Sequence, residues 1–410
     1  MRIFIVFLML ILLSVSFNVS ADDIAFVPAN SEKGKIIAFN LTTQKKIIEI
    51  EVGSYSTVLA FHPYNKKLYV TQRELDSSSQ LGTVGIVNMV DLSYEGEIIN
   101  VGSNPTGIVI NPEGIEMYVA HRTGIAAINI ASGEVENQQT DVTYTGAGLA
   151  MSPEGNFLFA TGIDGGISGV SLLDAFNLTE LDSMELDAGS QAIAVHPSEP
   201  LIYVANQAAG TVSILSHKKS GSHRVLTLDD RKIHLNSGAG SYDLKISQDG
   251  STLYITNSGL ASTNTSKDEA DNGFITVVDL NSRKQYNKEF KEFEGAFVSG
   301  FHPRAVSISP DGKIHVVVDI WDSGTGLYLY SLEEKNFDLK VKRTALLDTL
   351  TTLQFGEFIQ YDCDFCPKGE ITRVLPTGTR PAALSPIFLL MLLFLTIFII
   401  HNRRRMKRKY

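Results

Sequence analysis

Two cysteines, one tryptophan and no excess of basic charge mark this chain of 410 residues. Two cysteines cannot make a disulfide framework, and a chain of this length can bury a core without one. The composition, 44% hydrophobic and 20% charged, excludes disordered and collagen-like classes. The net charge is −10, and seven positive charges sit at the ends: Arg2, and the tail group Arg403, Arg404, Arg405, Lys407, Arg408 and Lys409. The rest of the chain therefore carries −17. So acidic a body excludes nucleic acid as a partner, because backbone binding needs a basic footprint. Short catalytic signatures are also missing. There is no Gly-x-Ser-x-Gly, no Walker loop and no His-Glu-x-x-His.

What is present begins at the two ends. Met1–Ala21 has a charged start at Arg2, an apolar run Ile3–Leu13 and small residues before Asp22-Asp23, the pattern of a secretory signal. A second apolar run, 382–400, has nineteen residues. At about 1.5 Å rise it covers roughly 28 Å, close to a hydrocarbon core. The basic tail follows at once, and positive residues stay on the cytoplasmic side. The expected division is a signal peptide at 1–21, a folded body at 22–360 and a stalk at 361–381. A transmembrane anchor at 382–400 and a basic cytoplasmic tail at 401–410 follow. The body is thus expected outside the cell membrane on a single-pass anchor. Leu375-Pro-Thr-Gly378-Thr resembles a sorting motif with its glycine one position early. Asn40, Asn177 and Asn264 head N-glycan sequons.

The body repeats. Large residues at Phe26, Tyr69, Tyr118, Phe159, Tyr203, Tyr254 and Val316 recur at intervals of 41 to 62. From the second to the seventh, each follows a Pro/Asp-Gly type turn and an apolar segment, as in Ile110-Asn-Pro112-Glu-Gly-Ile-Glu-Met-Tyr118. Each copy reads as four short strands, a propeller blade. The fold expected is therefore all-β: a seven-bladed β-propeller of four-stranded antiparallel blades, with one C-terminal transmembrane helix. The first copy lacks its front half, so Thr351–Ile359 is expected to complete it and close the ring.

The segments Leu68-Tyr-Val-Thr71, Leu201-Ile-Tyr-Val-Ala-Asn206 and Leu253-Tyr-Ile-Thr-Asn257 resemble the YVTN-repeat β-propellers, which are similar to the lactonase-like seven-bladed propellers. The resemblance covers about residues 24–346. It implies the fold, and it supplies no catalytic motif to carry over. Trp321-Asp322 occurs once, after a second strand, and is not a WD40 signature.

Long connections are expected at Gln72–Leu81, Lys218–Ser241, Ser258–Asn272 and Lys284–Arg304, all on one face, and loops on a rigid scaffold are where binding concentrates. His62, His196 and His302 each precede a proline and read as structural turn residues on the opposite face. His121, His223, His234 and His315 show no metal-ligand spacing. Asp268, Glu269, Asp271 and Asn272 supply oxygen donors for Ca²⁺, or else form a solvated acidic loop; no other cofactor is expected. Cys363 and Cys366 read as a local disulfide. Arg73, Arg122, Asp243 and Arg304 could reach the central channel.

The sequence reading favours a membrane-anchored binding module whose long-loop face meets a protein, glycan or cell-envelope ligand. The alternative is an extracytoplasmic lactonase-like hydrolase, or another enzyme with its site at the channel mouth.

Overall fold

Consecutive strands of this protein pair antiparallel with their sequence neighbours, and seven separate sheets result. The computed structural model describes residues 23–362 except 30–32, 41–42, 44, 74–81, 221–222, 236–239, 259–272, 290–300, 309–313, 321–325, 336–337 and 349–358. By contacts the chain divides into units Met1–Gly369 and Glu370–Tyr410, and every described residue lies in the first.

Each blade runs from an innermost to an outermost strand. Blade 2 is Leu59–Phe61, Lys67–Gln72, Thr83–Asn88 and Ser93–Ile98. Blade 3 is Gly107–Ile110, Glu116–His121, Gly124–Asn129 and Val135–Gln139. Blade 4 is Gly146–Met151, Phe157–Asp164, Ile167–Asp174 and Glu180–Glu185. Blade 5 is Ser190–Val195, Leu201–Asn206, Thr211–Ser220 and His223–Leu228, with Ile233–His234 pairing the start of its third strand. Blade 6 is Ser241–Ile246, Thr252–Asn257, Phe274–Asp279 and Gln285–Glu289. Blade 7 is Phe301–Ile308, Ile314–Ile320, Gly326–Lys335 and Asp338–Asp348.

Blade 1 is assembled from both ends of the described chain. Ile359–Asp362 lies innermost against Asp23–Ala29, followed by Lys35–Asn40 and Lys45–Glu51. Of the expected closing strand 351–359, Ile359 begins the described strand and the other residues lie outside the described ones. Each innermost strand contacts the next around the molecule, and Ile359–Asp362 touches both Phe301–Ile308 and Leu59–Phe61. The ring is closed.

The repeat explains the burial. Second strands are sandwiched between neighbouring blades, so both of their faces are covered and they read as continuous apolar runs. Phe26, Tyr69, Tyr118, Phe159, Tyr203 and Tyr254 are all buried. The core is a series of cushions between blades, such as Phe159, Val170 and Leu172 of blade 4 against Ile202, Val204 and Leu215 of blade 5. Outer strands such as Glu180–Glu185 are mostly exposed or half-buried and correspondingly polar. Between first and second strands, Gly114 and Gly250 take φ of +69° and +75°, the left-handed conformation that the tight turn needs.

This topology gives the ring two faces. Turns joining strands 1–2 and 3–4 share the short-turn face. Connections 2–3 and 4–1 share the mouth face, where innermost strands begin. Lys218–Ser241 is not one loop. Its first part extends a third strand to Ser220, which turns into His223–Leu228 on the short-turn face. The tandem of strand pairing overrides the polar composition on which a loop was expected. Among the described residues no helix is long and apolar enough to cross a membrane, and residues 1–22 and 363–410 lie outside them.

Candidate functional site at the mouth of the channel

The histidines come first, because most of them are used by the fold. His62 is buried; its Nδ1 accepts the backbone N–H of Tyr64 and Asn65, both at 3.0 Å. Its Nε2 therefore carries the proton and donates to Gly114 O of blade 3 at 2.8 Å. His196 repeats the device. Its Nδ1 accepts from Ser198 and Glu199, and its Nε2 donates to Gly250 O of blade 6 at 3.0 Å. Both are clasps between adjacent blades. His302 does not share that register. It lies in the innermost strand of blade 7, opposite Asp319, and the equivalent turn of that blade comes later in the chain. His-Pro occurs both in a turn and in a bulged strand, and the dipeptide alone does not separate them.

His223 pairs opposite Ser220 and His234 opposite Thr211, at the two ends of one ten-residue strand, so they share no site. His315 sits mid-strand opposite Ser307 and Ser331. Among the described residues no group of three His, Cys, Asp or Glu could hold a metal. Asp268, Glu269, Asp271, Asn272, Cys363 and Cys366 lie outside the described residues. Of the sequons, Asn40 is buried with its Oδ1 accepting Thr43 N, Asn177 is exposed, and Asn264 lies outside the described residues.

A repeated clamp builds the mouth. Second strands end on Gln72, His121, Asn206 and Asn257, all buried. The residue after each donates its backbone N–H to the connection entering the same blade: Arg73 to Ser54 O, Arg122 to Ser103 O, Gln207 to Gly189 O and Ser258 to Gly240 O. Blade 4 departs from this pattern. Its corresponding residue is Gly162, whose Cβ would stand 1.8 Å from Thr145 O. Only glycine fits, because the Thr145 backbone occupies the place of a side chain, and a pocket lies beside this close approach.

That pocket has a volume of about 370 Å³. It is lined by Arg122, Thr145, Ile163, Ser190, Gln191 and Gln207, with Gly146, Ala147, Gly162 and Gly189 between them. The innermost strands bulge here. Register shifts fall between Gly146 and Leu149, Ser190 and Ile193, Ser241 and Asp243, and Pro303 and Ala305. Bulges re-aim side chains at rims and functional sites. The residues thrown out of register include Gln191, Tyr242 and Arg304.

The electrostatics single out two groups. The exposed Arg122 guanidinium makes no ion pair among the described residues, and the buried Gln191 Oε1 has no hydrogen-bond partner. Arg73, on the neighbouring blade, is half-buried, and burial lowers its pKa. Asp243, by contrast, is structural: Oδ1 accepts Leu244 N at 2.8 Å, and Oδ2 accepts Val306 N of blade 7 at 2.9 Å.

A second cavity, of about 410 Å³, lies on the short-turn face beside Glu116, Phe157, Asp174, Phe176 and Arg224. It is larger, but its charged groups are already engaged. Glu116 accepts Tyr118 OH, Asp174 accepts Phe176 N and Asn177 N, and Arg224 binds His217 while lying 4.3 Å over Phe157. The mouth pocket is the one with groups left to meet a ligand.

Residues 24–346 match the family model described as lactonase, 7-bladed β-propeller. The chain belongs to the lactonase seven-bladed propeller family. A solved neighbour is the periplasmic gluconolactonase of Pseudomonas aeruginosa, with TM-score 0.62, 16% identity, and 82% of this chain and 98% of that chain covered. A protein from Lactobacillus plantarum has TM-score 0.59 and 15% identity, covering 83% and 99%. A hypothetical selenium-binding protein from Sulfolobus tokodaii has TM-score 0.60 and 11% identity, covering 83% and 94%. At such identities these neighbours show the fold alone. No curated protein matches the chain. Within the lactonase family fold, sequence reasoning named Arg122, which lines the pocket, and Arg73, which does not, and did not name Gln191 or Gly162. The signal for the latter was a glycine where four other repeats carry Gln, His or Asn.

Proposed function

We propose that the protein is a lactone hydrolase working at the mouth of its channel, with Arg122 and Gln191 as the principal binding groups. One observation carries this reading: a pocket in a lactonase-family propeller whose Arg122 guanidinium makes no ion pair and whose Gln191 Oε1 has no hydrogen-bond partner among the described residues. The periplasmic gluconolactonase among the neighbours bears the name of a sugar-lactone enzyme, which supports the same chemistry.

In that reaction a water oxygen bonds to the lactone carbonyl carbon and the ring C–O bond breaks. The ring oxygen takes a proton, and a hydroxy acid leaves. Charge develops on the carbonyl oxygen, where the planar N–H fork of Arg122 suits it. Gln191, Gln207 and Ser190 suit the hydroxyl groups of a sugar lactone. The family match favours this reading over the binding module expected from the sequence.

The proposal keeps the extracytoplasmic, tethered location. Asp23 and Asp362 are register partners at the short-turn end, so a tether beyond Asp362 would leave the mouth free. The test is ring opening of glucono-1,5-lactone above the spontaneous rate. Arg122→Gln is expected to lower kcat/KM by about 10²–10³ with an unchanged melting temperature. A variant as fast as the parent would overturn the role of Arg122.

A further inference from the structure

The mouth pocket has an apolar wall that a sugar lactone does not need. Both strands of the blade 4 hairpin, Phe157–Asp164 and Ile167–Asp174, have eight residues, where the corresponding strands of blade 3 have six. The surplus rises at the mouth face, because Gly162 occupies the position of His121. Gly165 and Gly166, at φ +54° and +89°, close the hairpin with the turn that suits strand twist. Its tip carries two branched apolar residues, Ile163 at 61% exposure on the face toward the pocket and Ile167 at 46% on the opposite face. Neither belongs to a core cluster among the described residues.

The tip is held, not loose. Ser168, opposite Ile163, is buried; its Oγ accepts Gly189 N at 2.8 Å, and its carbonyl accepts Leu186 N at 2.8 Å. Both donors lie on the connection into blade 5, whose innermost strand supplies Gln191. The hairpin is therefore fixed to the same backbone that forms the pocket floor. Ile163 itself lines the pocket, with Gly146, Ala147 and Gly162.

Building on the lactone reading above, we infer that the preferred substrate is a lactone with an apolar side chain, packed on Ile163 beside Ala147 while Arg122 meets the carbonyl. A pocket that joins a few polar groups to one apolar wall binds ligands of that divided character. The chemistry is unchanged: water adds at the carbonyl, the ring ester opens, and the apolar group stays on the hydroxy acid.

The experiment measures kcat/KM of the full chain on glucono-1,5-lactone and on γ-lactones with alkyl tails of increasing length. Transfer of a methylene from water predicts a rise of about twofold per carbon for a half-exposed wall, levelling once the wall is covered. Ile163→Ser is expected to flatten this slope, and Ile167→Ser, on the opposite face of the hairpin, to leave it unchanged; the slope, not the absolute rate, is the readout. A parent slope of zero, or one unchanged in Ile163→Ser, overturns the apolar-substrate inference while leaving lactone hydrolysis standing. Failure to open any lactone, glucono-1,5-lactone included, overturns the lactone reading and this inference with it.

Discussion

Asp362, the last residue of the closing strand, is the register partner of Asp23, the first residue of the neighbouring strand. Four residues from the far end of the body, Ile359–Asp362, thus complete the sheet that the N-terminal strands begin. Without them, Asp23–Ala29 would present an open edge. A chain ending at residue 358 is expected to lose about 3 kcal/mol or more, or to aggregate. A chain ending at residue 369 should melt like the parent. Equal melting temperatures for the two would refute closure by this strand.

The blade clasps make a separate prediction. His62 satisfies two backbone N–H groups and one carbonyl, and His196 does the same between blades 5 and 6. His62→Ala and His196→Ala should each cost about 2–3 kcal/mol, since buried groups lose their partners. Denaturant unfolding measures this. Blade 4 separates the two clasped pairs, blades 2 and 3 and blades 5 and 6, so the double variant should show additive losses.

Two other histidines set a pH dependence. His121 is buried, with Nδ1 unpartnered and Nε2 accepting from Gln138. His217 is buried against Phe159 and bound by Arg224. Burial lowers the pKa of both, and the Arg224 charge lowers that of His217 further. The unfolded chain therefore protonates first, near pH 6.5. Stability is full above that pH and falls as the pH drops below it, by up to about 1.4 kcal/mol per pH unit for each histidine. Unfolding free energies between pH 7.5 and 5.5 should show this slope. His121→Gln with His217→Gln should reduce it.

Gly162 tests the close approach of the backbone beside the pocket. An alanine Cβ would meet Thr145 O, C and N at 1.8, 2.5 and 2.5 Å, all backbone atoms that cannot swing aside. Gly162→Ala should cost at least about 3 kcal/mol or force the two strands apart. Full stability with unchanged ligand binding would show that the close approach is not needed.

The blade pattern was legible because Tyr69, Tyr118, Tyr203 and Tyr254 fall where both faces of a strand are covered, and such strands repeat a large residue. The closing strand was legible in kind, and the described part of it begins at Ile359, the last residue of the expected segment. Several alternating segments follow blade 7, and only pairing with Asp23–Phe26 selects among them. Arg122 could be found from its place after a second strand. Gln191 could not, because its placement depends on a bulge, and a bulge leaves the strand pattern of Ser190–Val195 unchanged. Gly162 acts through the absence of a side chain, which no search for reactive residues registers.

The most direct test of the account is a crystal structure of the protein soaked with gluconate, the hydroxy acid that ring opening of gluconolactone would release. The carboxylate should lie against Arg122, with hydroxyl groups on Gln191 and Gln207, between the innermost strands of blades 4 and 5. Gluconate bound elsewhere on the ring, or an empty mouth at saturating concentration, would contradict the assignment of the site.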